Sequence, residues 1–314
     1  MNEFLKMIEE ANTIAILGHI RPDGDCVGSC LGLYNYILEN YDNKHVDVYL
    51  QQIPSKFNFL KGADKIKHEV TDTIYELGIS LDCGDTDRHG EFASVFSNSQ
   101  KKACIDHHRS NKGFGDYFYC NAEGSSTAEA ICEHICMDKI SSNVAEALYL
   151  GIVHDTGVFK YPSTVERTMQ LAGKLISKGA RSQYIIDETF YKVSYRQNLL
   201  TGEAVLNSKL HFDGKVISTC VTLDMFKEFG ATKEDTEGIV DRLRVTDGVE
   251  VAVFVYQLTK DSYKFSLRSI NYVDVSTIAV SFGGGGHYRA AGFEFKGVLD
   301  DAMNKVLSMI GGQL

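Results

Sequence analysis

The amino-acid sequence predicts an α/β protein with an N-terminal parallel-sheet domain and a smaller C-terminal α/β domain. Short apolar segments alternate with helical periodicity through the first half of the chain, a pattern typical of parallel βαβ units. The second half again mixes strand-like and helical segments, and it closes with a glycine-rich stretch and a final helix. At 314 residues the chain is too long for one ordinary core and about right for two domains.

Strand-like segments of the first half lie at 12–19, 45–52, 75–85 and 101–108. Helical segments lie at 27–40, 126–138, 142–157 and 164–180. Ser126 or Thr127 suits the N-cap of the second helix, with Glu129 in its first turn, and Gly179 is a stop signal for the last. Each strand-like segment ends in a polar cluster, and ligands of parallel sheets bind beyond the carboxyl ends of the strands.

In the second half we predict strands at 215–223, 249–258 and 262–269, and helices at 233–244, 273–283 and about 297–311. Between the halves, the pattern stays helical but becomes more polar. We therefore predict a catalytic domain over 1–186, a helical linker over 187–208 and a second domain over 209–314.

Composition excludes several classes of protein. With 44% hydrophobic and 24% charged residues the chain is globular, and no apolar run of membrane-spanning length is present. The start carries no signal-peptide pattern, so we expect a cytoplasmic protein without membrane contact. The eight cysteines form no C-x-x-C pair and most lie in apolar periodic segments, which predicts reduced core thiols. A net charge of −10 disfavours duplex nucleic acid, but it permits a small anion if cations are focused at the site.

Histidines and aspartates gather at what we interpret as four strand ends. They are His19, Asp23 and Asp25; Asp82; Asp106, His107 and His108; and Asp155. A single aspartate at such a position is usually a cap or loop residue. Six potential metal ligands among these eight residues, spread over four successive clusters, favour a metal site instead. Imidazoles and carboxylates suit manganese, cobalt or zinc, and two such metals can activate a shared water for phosphoryl displacement.

A second signal is FGGGGHYRAAGF at 282–293. Backbone N–H groups of Gly284, Gly285 and Gly286 could cradle a phosphate, with His287 and Arg289 as charge partners. The alternative is a flexible turn between a helix and a strand. Arg268 ends an apolar segment and could grip a phosphate through two hydrogen bonds, although a surface arginine is an equal alternative.

The motifs GHIRPDGDCVGS (18–29), LDCGDTDR (81–88), IDHHRSN (105–111) and GIVHDTGVFKYPST (151–164) resemble the four motifs of the DHH phosphoesterase superfamily. SLRS (266–269) and GGGGHYRAAG (283–292) resemble the DHH-associated C-terminal domain. In length and domain pairing the chain most resembles the bacterial group of bifunctional oligoribonucleases (nanoRNases) and pAp phosphatases. The resemblance implies an active site in the cleft between two domains, with two divalent cations, most commonly Mn²⁺.

The resemblance also implies roles for individual residues. His19 and Asp23 would hold one metal, Asp25, His107 and Asp155 the other, and Asp82 would bridge them. His108 would face the scissile phosphate, while Asp106 would orient the ring of His107. Phosphate or nucleotide contacts would come from Arg109, Arg268, His287 and the glycines 283–286.

From this resemblance we expect a phosphoesterase that hydrolyses short single-stranded RNA to mononucleotides, and pAp to AMP and phosphate. A phosphodiesterase for pApA or cyclic di-AMP stays open, because it would share the catalytic core. An inorganic pyrophosphatase is disfavoured by the GGGGH segment, and a non-catalytic nucleotide sensor by the complete ligand set. The apolar helix at 142–154 suits either a homodimer interface or the core.

Overall fold

The computed structural model describes residues 2–314, which form two compact units that meet in sequence between Lys192 and Val193. Within these residues, no helix combines the length and the apolar character needed to cross a bilayer.

A five-stranded, fully parallel sheet forms the centre of the first unit. Its strands follow the order β2-β1-β3-β4-β5. They are β1 Thr13–Leu17, β2 His45–Tyr49, β3 Leu77–Leu81, β4 Lys101–Asp106 and β5 Tyr117–Cys120. The helices are α1 Glu3–Glu10, α2 Gly24–Asn40, α3 Ala93–Asn98, α4 Thr127–His134, α5 Ser142–Asp155, α6 Glu166–Ser177 and α7 Ser182–Ile186. The predicted parallel α/β architecture is confirmed.

Helices α2 and α5 pack closely because glycines line their contact. A Cβ atom on Gly28 would lie 2.4 Å from the carbonyl oxygen of Ala147. One on Gly151 would lie 2.6 Å from the carboxylate of Asp25. Only glycine permits such an approach, and the contact brings Asp25 of α2 beside the helix that ends at Asp155.

Two features of the first unit differ from the sequence prediction. Asp155 ends helix α5 and not a strand, so the interpretation of a fourth strand end is wrong. The helix predicted at 142–157 is itself confirmed as Ser142–Asp155, so Asp155 reaches the cluster from the end of a helix. The edge strand β5 has only four residues and was not predicted.

The second unit contains a mixed sheet of six strands in the order β10-β11-β9-β8-β7-β6, in which only β7 and β8 run parallel. Its strands are β6 Lys209–His211, β7 Val216–Val221, β8 Val251–Thr259, β9 Ser262–Ser269, β10 Gly285–His287 and β11 Ala290–Lys296. Its helices are α8 Tyr195–Leu206, α9 Leu223–Phe229, α10 Ile239–Arg244, α11 Val275–Ser281 and α12 Leu299–Gly311.

The segment predicted as a linker is divided between the two units. Asp187–Tyr191 lies in the first unit, whereas α8 packs on the second, where Leu200 and Ala204 are fully buried beside Ile217 and Val221. The helix predicted at 233–244 is also divided. A short 3₁₀ turn precedes α10 because Gly238 between them adopts a φ of 83°, which a continuous right-handed helix does not allow.

Candidate metal centre

Three neighbouring strands deliver the predicted residues to one edge of the parallel sheet. Strands β1, β3 and β4 are adjacent, and His19, Asp82 and the run Asp106-His107-His108 follow or end them. The start of α2 adds Asp23 and Asp25, and the end of α5 adds Asp155. The structure therefore brings these eight predicted residues together, at the position where open α/β sheets bind their ligands.

Asp82 lies between the imidazoles of His19 and His107. Its Oδ2 is 3.4 Å from Nε2 of His19, and its Oδ1 is 3.6 Å from Nε2 of His107. Its φ is 59°, a left-handed conformation that aspartate tolerates better than most residues. Its Oδ1 also lies 3.6 Å from Nδ1 of His108. The side chain is almost completely buried, so the carboxylate has three imidazole neighbours and little solvent.

His19 presents Nε2 toward carboxylates because its other ring nitrogen is occupied. Nδ1–H donates to the carbonyl oxygen of Ile20 at 2.9 Å, which leaves Nε2 3.7 Å from Oδ1 of Asp23. Burial opposes a charged ring, but the contacts with Asp23 and Asp82 raise the pKa of His19 above its usual value. The negative charge of these two carboxylates favours a proton on Nε2, and for the same reason it favours a metal cation at that atom.

A second group consists of Asp25, His107 and Asp155. Nε2 of His107 lies 3.1 Å from Oδ2 of Asp155 and 3.9 Å from Oδ2 of Asp25. Burial, followed by the charges of Asp82 and Asp155, raises the pKa of Asp25. Burial opposes a proton on His107, but its contact with Asp155 and the other carboxylates raise its pKa to about 10. Carboxylates this close resist ionising together, so a bound cation would stabilise the charged group.

The amino end of α4 holds two of these carboxylates, and this arrangement was not predicted. Oδ2 of Asp25 accepts the backbone N–H of Thr127 at 2.6 Å, and Oδ1 accepts that of Ala128 at 3.0 Å. The hydroxyl of Thr127 donates to Oδ1 of Asp82 at 2.9 Å. Ser126 is the N-cap and accepts from Glu129 N–H, so the hydroxyl of Thr127 is free for Asp82. The sequence marked this position only as an alternative cap.

Asp106 orients His108, which differs from the role inferred for it. Its Oδ1 accepts Nδ1–H of His108 at 2.8 Å and the backbone N–H of His107 at 2.8 Å. Its Oδ2 accepts the side-chain amide of Asn111 at 2.8 Å. The expected bond to the ring of His107 is absent because that ring turns toward Asp155. The bond to Asp106 raises the pKa of His108, and Asn111 is a further residue that the sequence reasoning missed.

The candidate phosphate-binding residues of the second unit lie near one edge of its sheet. Arg268 of β9 is half-buried and pairs with Ala290 of β11. Gly285, Gly286 and His287 form the exposed edge strand β10, so the glycine segment is an ordered strand and not only a turn. A Cβ atom on Gly284 would lie 2.3 Å from the carbonyl oxygen of Gly292, which explains a glycine there.

Arg268 donates from Nη1 to the carbonyl oxygen of Leu267 at 3.0 Å, and the other two predicted arginines also have partners within their own unit. The guanidinium of Arg289 donates to the carbonyl oxygen of Asn271 at 3.1 Å. Arg109 is exposed and pairs with Glu123 at 2.8 Å. The contact of Arg289 anchors it beside β11, while that of Arg109 is a surface ion pair of small energetic value.

The donor set fits divalent cations. Among residues 2–314, the ligand atoms of Asp25, His107 and Asp155 lie within 4.8 Å of one another, and so do those of Asp82, His107 and His108. A third group joins His19 and Asp82 to Cys26. Burial raises the pKa of the Cys26 thiol, and its sulfur accepts the His19 backbone N–H, so we interpret Cys26 as a core thiol. Imidazole and carboxylate donors suit Mn²⁺, Co²⁺ or Zn²⁺.

Comparison with known proteins agrees with this geometry. Residues 13–152 match the N-terminal domain of the DHH family, and residues 213–313 match the DHHA1 domain. A relative from Streptococcus mutans, named probable bifunctional oligoribonuclease and PAP phosphatase NrnA, is 31% identical over 92% of this chain and 91% of its own length. The Bacillus subtilis protein named bifunctional oligoribonuclease and PAP phosphatase NrnA is 28% identical over 92% of this chain and 91% of its own length.

Two further proteins extend the comparison. The cyclic-di-AMP phosphodiesterase PdeA of Listeria monocytogenes is 27% identical over 97% of this chain, which spans 48% of that protein. A solved structure of an exopolyphosphatase-related protein from Bacteroides fragilis is 28% identical, with a TM-score of 0.86 over 98% of this chain and 94% of that protein.

Proposed function

The chain belongs to the DHH family, and from that premise we propose that it is a metal-dependent phosphoesterase of short nucleotides. Its substrates would be short oligoribonucleotides, hydrolysed to mononucleotides, and pAp, hydrolysed to AMP and phosphate. The observation that carries the proposal is the placement of Asp82 between His19 and His107, with Asp25 and Asp155 beside the second imidazole.

We propose that two divalent cations, Mn²⁺ in the first place, are held by this cluster. His19 and Asp23 would hold one cation, Asp25, His107 and Asp155 the other, and Asp82 would contact both. Bound together, two such cations supply an activated water and neutralise charge on the transferring phosphoryl group.

The protein's own residues would orient the substrate. Asp106 occupies Nδ1 of His108, so Nε2 is the ring atom available to a phosphate oxygen. His108 has a side chain that is 43% exposed, which makes it accessible, and the bond to Asp106 fixes its ring. Hydrogen bonds aimed at a phosphoryl oxygen stabilise the charge that develops during displacement.

Further phosphate or nucleotide contacts are proposed for Arg109 and for residues of the second unit. The latter are Arg268, Gly284, Gly285, Gly286, His287 and Arg289. Support comes from the exposure of β10 and from Arg268, a half-buried residue on another strand of the same sheet. Exposed backbone N–H groups and guanidinium groups are general phosphate ligands.

A second candidate function is hydrolysis of cyclic di-AMP or pApA, favoured by the likeness to PdeA over nearly the whole of this chain. It would use the same cation cluster. We also propose action in the cytoplasm, where the eight free cysteines would stay reduced, without use of duplex nucleic acid, which the net charge of −10 disfavours. A homodimer is a further proposal, to be tested by light scattering of the purified protein.

The deciding experiment measures product release by the purified protein with Mn²⁺. The substrates are pAp, pApA, a 5′-phosphorylated RNA trimer, a 24-mer, cyclic di-AMP, pyrophosphate and a short RNA duplex. Turnover of pAp and the trimer, with little on the 24-mer, the duplex or pyrophosphate, supports the proposal. Turnover confined to cyclic di-AMP and pApA would favour the second candidate, and turnover confined to pyrophosphate would contradict both.

Variants separate the cation cluster from substrate binding. His107→Ala should abolish turnover of every substrate, and normal turnover would refute the assignment of the cluster. Arg268→Ala should lower kcat/KM for nucleotides while sparing bis-p-nitrophenyl phosphate, which has no nucleoside to bind. Equal losses on both substrates would indicate a structural role for Arg268.

A further inference from the structure

A groove of about 740 Å³ adjoins the metal centre within the first unit. Arg21 and Pro22, from the loop between β1 and α2, form one part of its lining, and the segment 51–54 after β2 forms another. His68 and Glu91 complete the lining. Because β1 and β2 are neighbours in the parallel sheet, the groove lies beyond their carboxyl ends, at the same edge as the candidate ligands.

The groove begins very close to the proposed ligands. Arg21 is two residues from His19 and two residues from Asp23. Two residues of chain span at most about 7 Å, so a substrate with its phosphate at the centre has its adjoining nucleoside within reach of the groove. The volume lies inside the range of ordinary small-molecule sites, roughly 300–1,000 Å³.

Hydrogen bonds hold the wall of the groove in place. Arg21 has a φ of 56°, and its backbone N–H donates to the side-chain oxygen of Gln51 at 2.9 Å. The amide nitrogen of Gln51 donates in turn to Glu91 at 3.2 Å. The next residue toward the centre, Ile20, donates its N–H to the carbonyl oxygen of Arg88 at 2.8 Å. The loop that carries His19 is thus fixed to the groove, so both features are positioned together.

The lining offers an apolar floor with polar groups. Pro22 and Ile53 are buried apolar residues, and Pro54 is exposed beside them. Nδ1–H of His68 donates to the carbonyl oxygen of Leu50 at 2.8 Å, so Nε2 is left as a hydrogen-bond acceptor. The carboxamide of Gln52, which is exposed, can donate and accept.

These groups suit a neutral planar ring better than a phosphate. The carboxylate of Glu91 lies in the same lining as the guanidinium of Arg21, so their formal charges cancel, and a phosphate would face a carboxylate. A nucleobase presents apolar faces and an edge of donors and acceptors, which matches prolines and isoleucine next to Gln52 and His68.

We propose that this groove binds the nucleobase of the nucleotide adjoining the scissile phosphate. Gln52 and His68 read the edge of the base, and the apolar floor contacts its face. The inference rests on the proposed function and adds to it a base-binding subsite on the catalytic unit, which makes hydrolysis depend on a base and not only on phosphates and sugars.

The test compares pApA with two analogues that each carry one abasic nucleotide, using the wild-type protein and the double variant Gln52→Ala/His68→Ala. Gln51 is left intact because it holds the loop of the centre. Gln170→Ala on α6 provides a control for loss of an exposed glutamine. Hydrolysis of bis-p-nitrophenyl phosphate by the wild type reports whether the proposed centre is active.

For the wild type, one abasic analogue should have a lower kcat/KM than pApA, by about tenfold, as expected for the loss of hydrogen bonds to one base. The double variant should lose about tenfold on pApA and stay within about twofold on that analogue. Gln170→Ala should match the wild type on all three substrates.

Equal losses by the double variant on pApA and on both analogues would overturn the subsite, and so would unchanged rates on all three. These results would leave the proposed phosphoesterase intact, because pApA is still hydrolysed. If the wild type cleaves bis-p-nitrophenyl phosphate but no nucleotide of the substrate panel, the proposed function fails and the subsite fails with it.

Discussion

Replacing Thr127 with valine removes one hydrogen bond from the candidate metal centre and leaves the shape of the side chain nearly unchanged. The hydroxyl lost is the one that donates to Oδ1 of Asp82 at 2.9 Å. The backbone N–H of residue 127, which donates to Asp25, stays in place. Ser126 and not Thr127 caps α4, so the helix should still begin at the same residue.

The size of the effect follows from the charge and burial of the partner. Asp82 is 2% exposed, and a hydrogen bond to a charged group contributes about 1.5–3 kcal/mol. Loss of this hydrogen bond should lower the affinity of the centre for Mn²⁺ by roughly 10- to 100-fold. This is the range typical of residues that orient metal ligands. Thr127→Ser retains the hydroxyl and is the matched control, with an affinity expected within about threefold of the wild type.

Isothermal titration of the metal-free protein with Mn²⁺ measures this directly, and free Mn²⁺ can be followed independently by electron paramagnetic resonance. The rate at saturating Mn²⁺ should recover at least in part, because the proposed ligands themselves are unchanged. Equal Mn²⁺ affinities for the valine and serine variants would refute the reasoning and would mean that the backbone alone positions Asp82.

Three other predictions concern stability. Mn²⁺ at about 100 times its dissociation constant should raise the unfolding free energy of the wild type by about 2.7 kcal/mol, and EDTA should reverse this gain. The variant Asp25→Asn should lose most of the gain. A wild type whose stability does not respond to Mn²⁺ would contradict the cation cluster. Gly24→Ala would place a Cβ atom 2.1 Å from the ring of His154 and should cost about 1–3 kcal/mol in urea unfolding. Gly173→Ala, which meets open space in α6, should instead stabilise by up to about 1 kcal/mol, and equal effects of the two changes would show that the His154 ring moves aside. Burial lowers the pKa of His89 to about 4 from an ordinary 6.5. The neutral ring therefore costs no stability above pH 6.5. As the pH falls from 6.5 toward 4, the free energy of unfolding decreases by about 1.4 kcal/mol per pH unit, because the unfolded chain binds a proton that the folded chain does not. His89→Gln should therefore reduce the slope of the unfolding free energy against pH, between about pH 4 and 6.5, by the equivalent of about one bound proton. An unchanged slope would contradict a buried neutral ring at His89.

Much of the fold was predictable because the pattern of apolar residues reports local structure directly. Strands β1 to β4 and helices α2, α4, α5 and α6 lie where alternation and helical spacing predict them. Their order along the chain also predicts a parallel sheet, and with it a single edge where polar strand ends gather. For this reason the amino-acid sequence alone identifies His19, Asp82 and His107 as neighbours.

Other features depended on packing between distant parts of the chain. Asp25 lies at the start of α2 and Asp155 at the end of α5, and only the packing of these two helices brings their carboxylates together. The bond from Thr127 to Asp82 joins residues 45 positions apart, and the bond from Ala128 to Asp25 joins residues 103 positions apart. No local pattern encodes such pairs.

The difference between what the sequence determines and what the tertiary structure decides is clearest at Asp106, His107 and His108. The sequence by itself determined which chemical groups the protein carries and at which edge of the sheet they appear, because residue type and periodicity are local properties. Only the tertiary structure decided that Asp106 bonds His108 and that His107 turns toward Asp155. The physical reason is that adjacent side chains diverge from the backbone, and their partners are set by the elements packed around them, here β3, α2 and the end of α5.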